Sequence, residues 1–409
     1  MLNVKHILFL THYFPPEVNV PASRTIEHVK RWARKGIKIS VLTNNPNHPY
    51  GILYPGYKNK MLSKEVLENI DVYRVKTFLT PNSGFVLRFI NYLVFAIFAI
   101  LASFKIKKVD VVLSTSPQFF CGLAGVVISK LKKKPFILEV RDLWPGQIEA
   151  LGLIRNKLIL SLLHKIEFFM YFQAKKIITV TAYQNKYITN IGYPSTDITT
   201  VYNAADLELF NDSFYVNTKP SKSNTTFVAS YIGFFGMLYS LDTIVNVAIE
   251  LKKIPNIQFN LFGAGAQKDK IGFRVVKNNL TNLFLGSLQP KHNVSKIIHE
   301  SDVGLIILTK ALLFEQAIPM KMFEYWALKK PVILASPIGE GTEIMSKFNG
   351  GIVISPENDH ELKDALLTLH NDRKLCKELG ENGYRAVTEF FNRDITSEIM
   401  LNVIRSISF

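Results

Sequence analysis

Residues 5–43 read KHILFLTHYFPPEVNVPASRTIEHVKRWARKGIKISVLT, and their order of patterns decides the fold class. KHILFLTHYF is an apolar, strand-like run that breaks at Pro15-Pro16. RTIEHVKRWARKG then places apolar residues at 26, 29, 32 and 33, the period of an amphipathic helix, and Gly36 ends it. IKISVLT is a second apolar run. Strand, helix and strand joined by a short glycine turn form a right-handed βαβ unit, so the chain opens as a parallel-sheet α/β domain. Ligands of such sheets sit beyond the carboxyl ends of the strands. THYFPP (11–16), the loop after TNN, STSPQ (114–118) and EVRDLWPG (139–146) therefore gather around one crevice. No glycine-rich dinucleotide fingerprint follows the first strand, which argues against an NAD or FAD enzyme.

A chain of 409 residues calls for two or three domains. Further strands are expected at KIITVTA (176–182) and ITTVYNAAD (198–206), with the polar run 212–226 as a linker or loop. A second strand-helix series follows: FVASYIG, a helix from Ser240 to Lys252, IQFNLFGAG, a helix near 267–278, LFLG, a helix near 290–299, and DVGLIIL. Two α/β domains are expected, 1–205 and 206–390, with a helix in 391–409 that crosses back to the first. Cys121 and Cys376 stand far apart in no metal-ligand spacing, which fits a reducing cytoplasm and suggests neither disulfide nor zinc. ILFL is too short for a signal peptide.

In the second series, residues 314–343, FEQAIPMKMFEYWALKKPVILASPIGEGTE, hold the densest chemistry. Pro319 suits the first helical position, MKMFEYWAL reads as a helix ended by Lys329, Lys330 and Pro331, and VILA (332–335) reads as a short buried strand. The helix N-terminus at Pro319–Lys321 offers backbone N–H groups and a positive dipole end to a diphosphate. Lys321 adds a full charge, and Glu324, one turn on and on the same face, can accept hydrogen bonds from the two hydroxyls of a ribose. The bland reading is an amphipathic helix with a solvated Lys and Glu.

Charge and hydropathy are unevenly spread. Residues 1–200 carry 27 Lys and Arg against 11 Asp and Glu, whereas residues 201–409 carry 22 of each, so the net charge of +16 belongs to the first half. A basic half faces nucleic acid, a phospholipid surface or a phosphate-bearing substrate. No nucleic-acid motif is present, and few aromatic residues interleave with the lysine clusters. FVLRFINYLVFAIFAILASF (85–104) has the length and hydropathy of a transmembrane helix. It leads into VDVVLST, which should pair with IKISVLT in one sheet, so a helix with one face on the sheet and an apolar face for the bilayer surface is expected instead. The basic amphipathic run 155–176, RNKLILSLLHKIEFFMYFQAKK, favours an anionic lipid surface as well.

HYFPPE with Arg24, NHPYG…GY (47–57), STSP (114–117), RDLWP (141–145), YIGFFG…LDT (231–243), FGAG (262–265) and PMKMFEYWALKKPV (319–332) resemble, in order and spacing, the retaining glycosyltransferases of family 4. The likeness spans nearly the whole chain and is nearest the bacterial N-acetyl-L-fucosamine transferase-like branch. It implies an α/β GT-B fold, two Rossmann-like domains whose parallel sheets face across a cleft, the first (1–205) binding the acceptor and facing the membrane and the second (206–390) binding the nucleotide sugar. It also implies a UDP-sugar donor, retention at the anomeric carbon, no obligatory metal and no further cofactor. The expected acceptor is a polyprenyl-diphosphate-linked saccharide of O-antigen or capsule synthesis, the location cytoplasmic, peripheral to the inner face of the cell membrane. A UDP-sugar epimerase on the same fold is the alternative, and a nucleic-acid-binding protein the non-enzyme one.

The wider family frames the donor with two glutamates eight positions apart. Glu324 matches the second, while position 316 is Gln316 with Glu315 beside it. Relatives often clasp the diphosphate with an Arg and a Lys near where this chain has Phe234 and Tyr239. Neutralisation of the leaving group then falls to Lys321, the helix N-terminus and Arg141. The resemblance further implies that Asp142 contacts acceptor or donor sugar, that Gly233 and Gly236 let the backbone approach the phosphates, and that Gly263 and Gly265 shape the base pocket. His12 is expected to be structural.

Overall fold

The computed structural model describes residues 4–81, 85–116, 119–150, 152, 154, 156–215 and 226–407. Pro117, Gln118, Arg155 and positions 216–225 of the expected linker lie outside the described residues. The chain divides into two compact units, Met1–Tyr202 with Asp394–Phe409, and Asn203–Arg393.

The first unit runs β1 (His6–Leu10), α1 (Val20–Arg34), β2 (Lys38–Asn44), β3 (Leu62–Leu67), β4 (Ile70–Val75), α2 (Phe85–Ser103), β5 (Val111–Thr115), α3 (Phe119–Lys132), β6 (Phe136–Val140), α4 (Trp144–Ala150), α5 (Lys157–Gln173), β7 (Lys176–Thr179), α6 (Ala182–Asn190) and β8 (Ile198–Thr200). Its sheet has the order β3-β4-β2-β1-β5-β6-β7-β8. Only β3 runs antiparallel, joined to β4 by Glu68 and Asn69, both at positive φ, the turn geometry that matches the twist of a hairpin. VDVVLST does not pair with IKISVLT directly. β1 lies between them, with Phe9 opposite Val41 on one side and Leu113 on the other.

Alternation along β1 divides the unit's core. Leu8 and Leu10 point into the layer formed by α2, α3 and α5, and Ile7 and Phe9 into the layer formed by α1 and the chain's last helix. Asn19 caps α1 by accepting from Ala22 N at 2.9 Å, and Pro21 occupies its first turn. The apolar run 85–104 is neither wholly core nor wholly exposed. Phe95, Ala96, Ala99 and Ala102 are buried, while Leu93, Ile97 and Leu101 are 40%, 48% and 54% exposed, so α2 uses one side for packing and leaves an apolar stripe outside.

The second unit runs β9 (Phe227–Phe234), α7 (Leu241–Glu250), β10 (Ile257–Ala264), α8 (Lys268–Lys277), β11 (Leu283–Gly286), α9 (Lys291–Glu300), β12 (Val303–Ile307), α10 (Met320–Ala327), β13 (Val332–Ala335), α11 (Glu340–Phe348), β14 (Gly351–Ile354), α12 (Asp359–Asn371) and α13 (Arg373–Glu389). Its six strands, ordered β11-β10-β9-β12-β13-β14, are all parallel. α14 (Arg393–Arg405) then packs in the first unit, where Trp32 Nε1 donates to Ser397 O at 3.1 Å and Arg31 Nε meets Asp394 Oδ1 at 2.5 Å.

Arg24 of α1 is fully buried and donates from Nε to Glu139 Oε1 at 2.8 Å, and its other nitrogens reach Tyr202 O and Val201 O at 3.0 Å. Burial raises the Glu139 carboxyl pKa, but Arg24 and Arg141 outweigh that and hold it below its ordinary range. The pair thus ties α1, the end of β6 and the end of β8 together. Removing one member leaves the other charge buried and alone. Glu139→Ala is expected to cost about 3–5 kcal/mol of stability in urea unfolding, with Glu139→Gln intermediate.

Candidate active site

In the second unit the sheet opens where the strand order reverses. β12 pairs with β9 only at Val303 and Gly304, opposite Ala229 and Ser230, and the two strands part toward their carboxyl ends. The loop after β9 enters the gap: Ser240 N donates to Ile307 O at 3.2 Å and Thr309 N to Leu238 O at 3.2 Å. Reversal points of this kind are where open α/β sheets bind ligands.

α10 starts beside that opening. Pro319 is its N-cap, one position before the first helical residue, and no side chain caps the helix, which leaves first-turn N–H groups and the positive dipole end for a ligand. Glu324 is 1% exposed, and its Oε2 accepts from Lys321 Nζ at 2.8 Å. Lys291 Nζ stands 4.0 Å from its other oxygen. The solvated-helix reading fails on this burial: the carboxylate is fixed by one close cation and a second at the limit of ion pairing, while Lys321 keeps about a third of its side chain exposed. Lys291, the first residue of α9, was not singled out in the sequence, because contact between α9 and α10 is a tertiary relation that spacing does not carry.

The preceding 3-10 turn, Leu312–Gln316, holds Glu315 exposed and Gln316 half-buried. Two glycines at the start of α11 support it. A Cβ on Gly339 would lie 2.0 Å from Glu315 O, and one on Gly341 would lie 2.8 Å from Ala317 O. A similar close approach brings the remaining candidates together. A Cβ on Gly263 would lie 2.0 Å from Gly233 O, and Gly265, at φ +149°, would meet Phe235 O at 2.5 Å. Gln267 fixes the same loop, donating from Nε2 to Gly236 O at 2.5 Å and to Tyr239 O at 3.2 Å. Gly233, Gly236, Gly263 and Gly265 therefore form one backbone crossing at the ends of β9 and β10.

Arg141 and Asp142 belong to the first unit, on the loop after β6. Arg141 is anchored through its backbone, donating to Ser116 Oγ at 3.0 Å and accepting from Gln184 Nε2 at 2.7 Å. Asp142 Oδ1 accepts from Gln147 Nε2 at 3.0 Å, and burial raises its carboxyl pKa. It precedes α4 by two residues and so is not the cap of that helix. His12 is buried between Tyr13, Tyr92 and Phe95, ring centroids 4.8–5.1 Å away, and burial pushes its pKa down to about 3, so it is neutral. Among the described residues no group of three or more His, Cys, Asp or Glu could hold a metal ion.

Residues 22–209 match the family model Glycosyltransferase Family 4, and residues 217–386 match Glycosyl transferases group 1. The chain belongs to the GT-B glycosyltransferases. Sucrose-phosphate synthase from Thermosynechococcus elongatus superposes with a TM-score of 0.75 at 14% identity, over 98% of each chain. An uncharacterized glycosyltransferase of Methanocaldococcus jannaschii is 30% identical over 139 residues, 34% of this chain and 38% of the relative. The UDP-N-acetylglucosamine–peptide N-acetylglucosaminyltransferase GtfA subunit of Streptococcus agalactiae is 26% identical over 163 residues, 38% of this chain and 31% of the relative. The matches thus span less than half the length of these curated relatives.

In this GT-B glycosyltransferase the glycine crossing can be separated from ordinary helix glycines. Gly263→Ala is expected to destabilise the chain by about 1–3 kcal/mol, since the carbonyl it meets is backbone and cannot yield. Gly272→Ala, in the middle of α8 with no atom nearer than 3.6 Å to its Cβ, should stabilise by about 0.4–1 kcal/mol. Paired thermal unfolding curves check both signs.

Proposed function

We propose that the chain transfers a sugar from a UDP-sugar to a polyprenyl-diphosphate-linked saccharide in surface-polysaccharide synthesis. The observation that carries this reading is the buried Glu324 paired with Lys321 at the uncapped N-terminus of α10. Glu324 accepts from the ribose hydroxyls, and Lys321 and the helix N-terminus take up the charge of the leaving diphosphate. The acceptor oxygen bonds to the anomeric carbon, the bond from that carbon to the phosphate oxygen breaks, and the acceptor proton passes to the departing oxygen. Retention follows if both events occur on one face of the sugar. Gln316, where the wider family has a carboxylate, suits hydrogen bonding to a neutral group such as an N-acetylated amino sugar, of which N-acetyl-L-fucosamine is the candidate. The Streptococcus agalactiae relative, whose name includes UDP-N-acetylglucosamine, supports the donor class.

The first unit supplies reasons for a peripheral place on the anionic inner face of the cell membrane. Residues Val86–Ser103 have a mean hydropathy of 2.1, and the outward side of α2 is apolar. α5 adds exposed Leu158, Leu162, Phe169 and Phe172. At the ends of α2 and α3 a groove of about 530 Å³ is lined by Lys107, Lys108, Lys132 and Lys134, next to exposed Phe104 and Leu131. An epimerase working on a soluble UDP-sugar gives these surfaces no use, and the apolar stripe does not suit a nucleic acid.

Lys321→Ala and Glu324→Ala should each lower transfer at least about 10²-fold while the chain still folds, with lowered stability for Lys321→Ala, which leaves the buried Glu324 carboxylate to Lys291 alone. Wild type should be stabilised by UDP, by about 2.7 kcal/mol at a hundred times its Kd, and Glu324→Ala should not; full activity in either variant refutes the site. EDTA should leave activity unchanged. Sedimentation with phosphatidylglycerol vesicles should exceed that with phosphatidylcholine and fall with salt, and a protein that ignores both refutes the membrane reading.

A further inference from the structure

Three consecutive residues of α10, Glu324, Tyr325 and Trp326, leave the helix about 100° apart and serve different neighbours. Glu324 turns to Lys321 and Lys291. Trp326 donates from Nε1 to Gly350 O at 2.8 Å, its indole in a slot where a Cβ on Gly350 or Gly383 would come within 2.4 Å. Tyr325 faces the sheet. Its ring lies on Gly304, where a Cβ would meet it at 2.5 Å, and its phenol donates to Ser230 O at 2.8 Å. Ser230 and Gly304 are the last residues at which β9 and β12 stand opposite each other. One side chain therefore spans the pair beyond which the strands part.

The phenol belongs to a continuous chain of hydrogen bonds. Since its proton goes to Ser230 O, Ser230 Oγ, 3.0 Å away, donates to the phenol oxygen and accepts in turn from Ser301 Oγ at 2.7 Å. Tyr325, Ser230 and Ser301 are all fully buried. Burial raises the Tyr325 pKa, and the nearby Glu324 charge adds to that, so the phenol remains a donor. α10 itself is eight residues long and has no side-chain cap. Phe323 holds it by stacking on Phe391, a contact that tolerates sliding, whereas a hydrogen bond weakens steeply with angle. Glu324 is the residue next to Tyr325. A rotation of α10 that breaks the phenol's bond therefore swings the carboxylate as well.

We infer that Tyr325 is a positioning residue for the donor: its hydroxyl, anchored on Ser230 where β9 and β12 part, sets the rotation of α10 and so aims the Glu324 carboxylate. The inference rests on the reading of Glu324 as the acceptor for the ribose hydroxyls. Its test compares UDP with 2′-deoxy-UDP, which lacks one of those hydroxyls, by calorimetry on the full chain. Wild type should bind UDP at least about tenfold more tightly, as expected for a hydrogen bond to a charged group. Tyr325→Phe keeps the ring on Gly304 and loses only the hydroxyl. It should reduce that preference at least about threefold by weakening UDP, with 2′-deoxy-UDP held nearly as before. Asn282→Ala is the control. Asn282 Nδ2 donates to Ala248 O at 2.9 Å just before β11, at the amino end of the sheet, so this variant loses a stabilising bond and should keep the full preference. An undiminished preference in Tyr325→Phe, whatever its unfolding temperature, overturns the inference and leaves the donor reading standing. A like reduction in Asn282→Ala makes the effect one of stability alone and also overturns it. Wild type that binds the two nucleotides equally, or neither, overturns both readings.

Discussion

A parallel sheet whose strand order reverses cannot close its carboxyl end. Neighbouring strands at the reversal send their connections to opposite faces, so no crossover covers the gap between them. In the second unit this is visible as the parting of β12 from β9; Glu324 and Lys321 lie on α10, which follows β12, the glycine crossing lies at the ends of β9 and β10, and Lys291 reaches Glu324 from the start of α9. In the first unit the order reverses between β1 and β5, and the loops after β1, β5 and β6 carry His12, Ser116, Arg141 and Asp142. Candidate chemistry is thus placed by connectivity before any side chain is considered.

Charge in this protein follows two different rules. Inside, carboxylates are held by cations: Glu139 by Arg24, Glu324 by Lys321. Such pairs gain little net stability over an apolar equivalent but make each partner indispensable to the other. Their use here differs. Both members of the Arg24–Glu139 pair are 1% exposed, so it is a fixed internal tie, whereas Lys321 is 32% exposed and can be shared with an incoming anion. Outside, the excess of Lys and Arg in the first unit includes the groove at the ends of α2 and α3, where cations also complement the negative ends of two helices.

How much of this was legible in the sequence varied with the kind of signal. The βαβ opening, the VILA strand and the α10 helix carry strong local periodicity; the structure keeps VILA and α10 to within a residue, with Pro319 moved from first helical position to cap, while α1 begins at Val20, four residues before Arg24, and β1 ends at Leu10. The β3–β4 hairpin was not read, because Glu68-Asn69 is not the usual Asn-Gly or Asp-Gly turn signal and β4 inserts between β2 and α2. Lys291, Gln267, Gly339 and Gly341 were missed for a common reason. Each acts on a segment distant in sequence, by ion pairing, by hydrogen bonds to a loop, or by letting one backbone pass against another, and none of these leaves a periodic trace.

Hydropathy alone also misjudges α2. A window with mean hydropathy 2.1 is compatible with a spanning helix, a core helix or an interfacial one. Burial divides the helix into two sides: small and aromatic residues, Phe95, Ala96, Ala99 and Ala102, permit close packing against the sheet and α3, while branched aliphatics occupy the outer side. A spanning helix would have to leave a sheet whose next strand, β5, pairs with β1. α2 therefore stays with the sheet, and the polar residues of its opening turns, Arg88, Asn91 and Tyr92, are held at the strand ends by the same packing that turns the stripe outward. The polar strand-end contacts of α2, such as Asn91 to Thr77 and Phe78, and its outward apolar stripe are two consequences of one helix orientation.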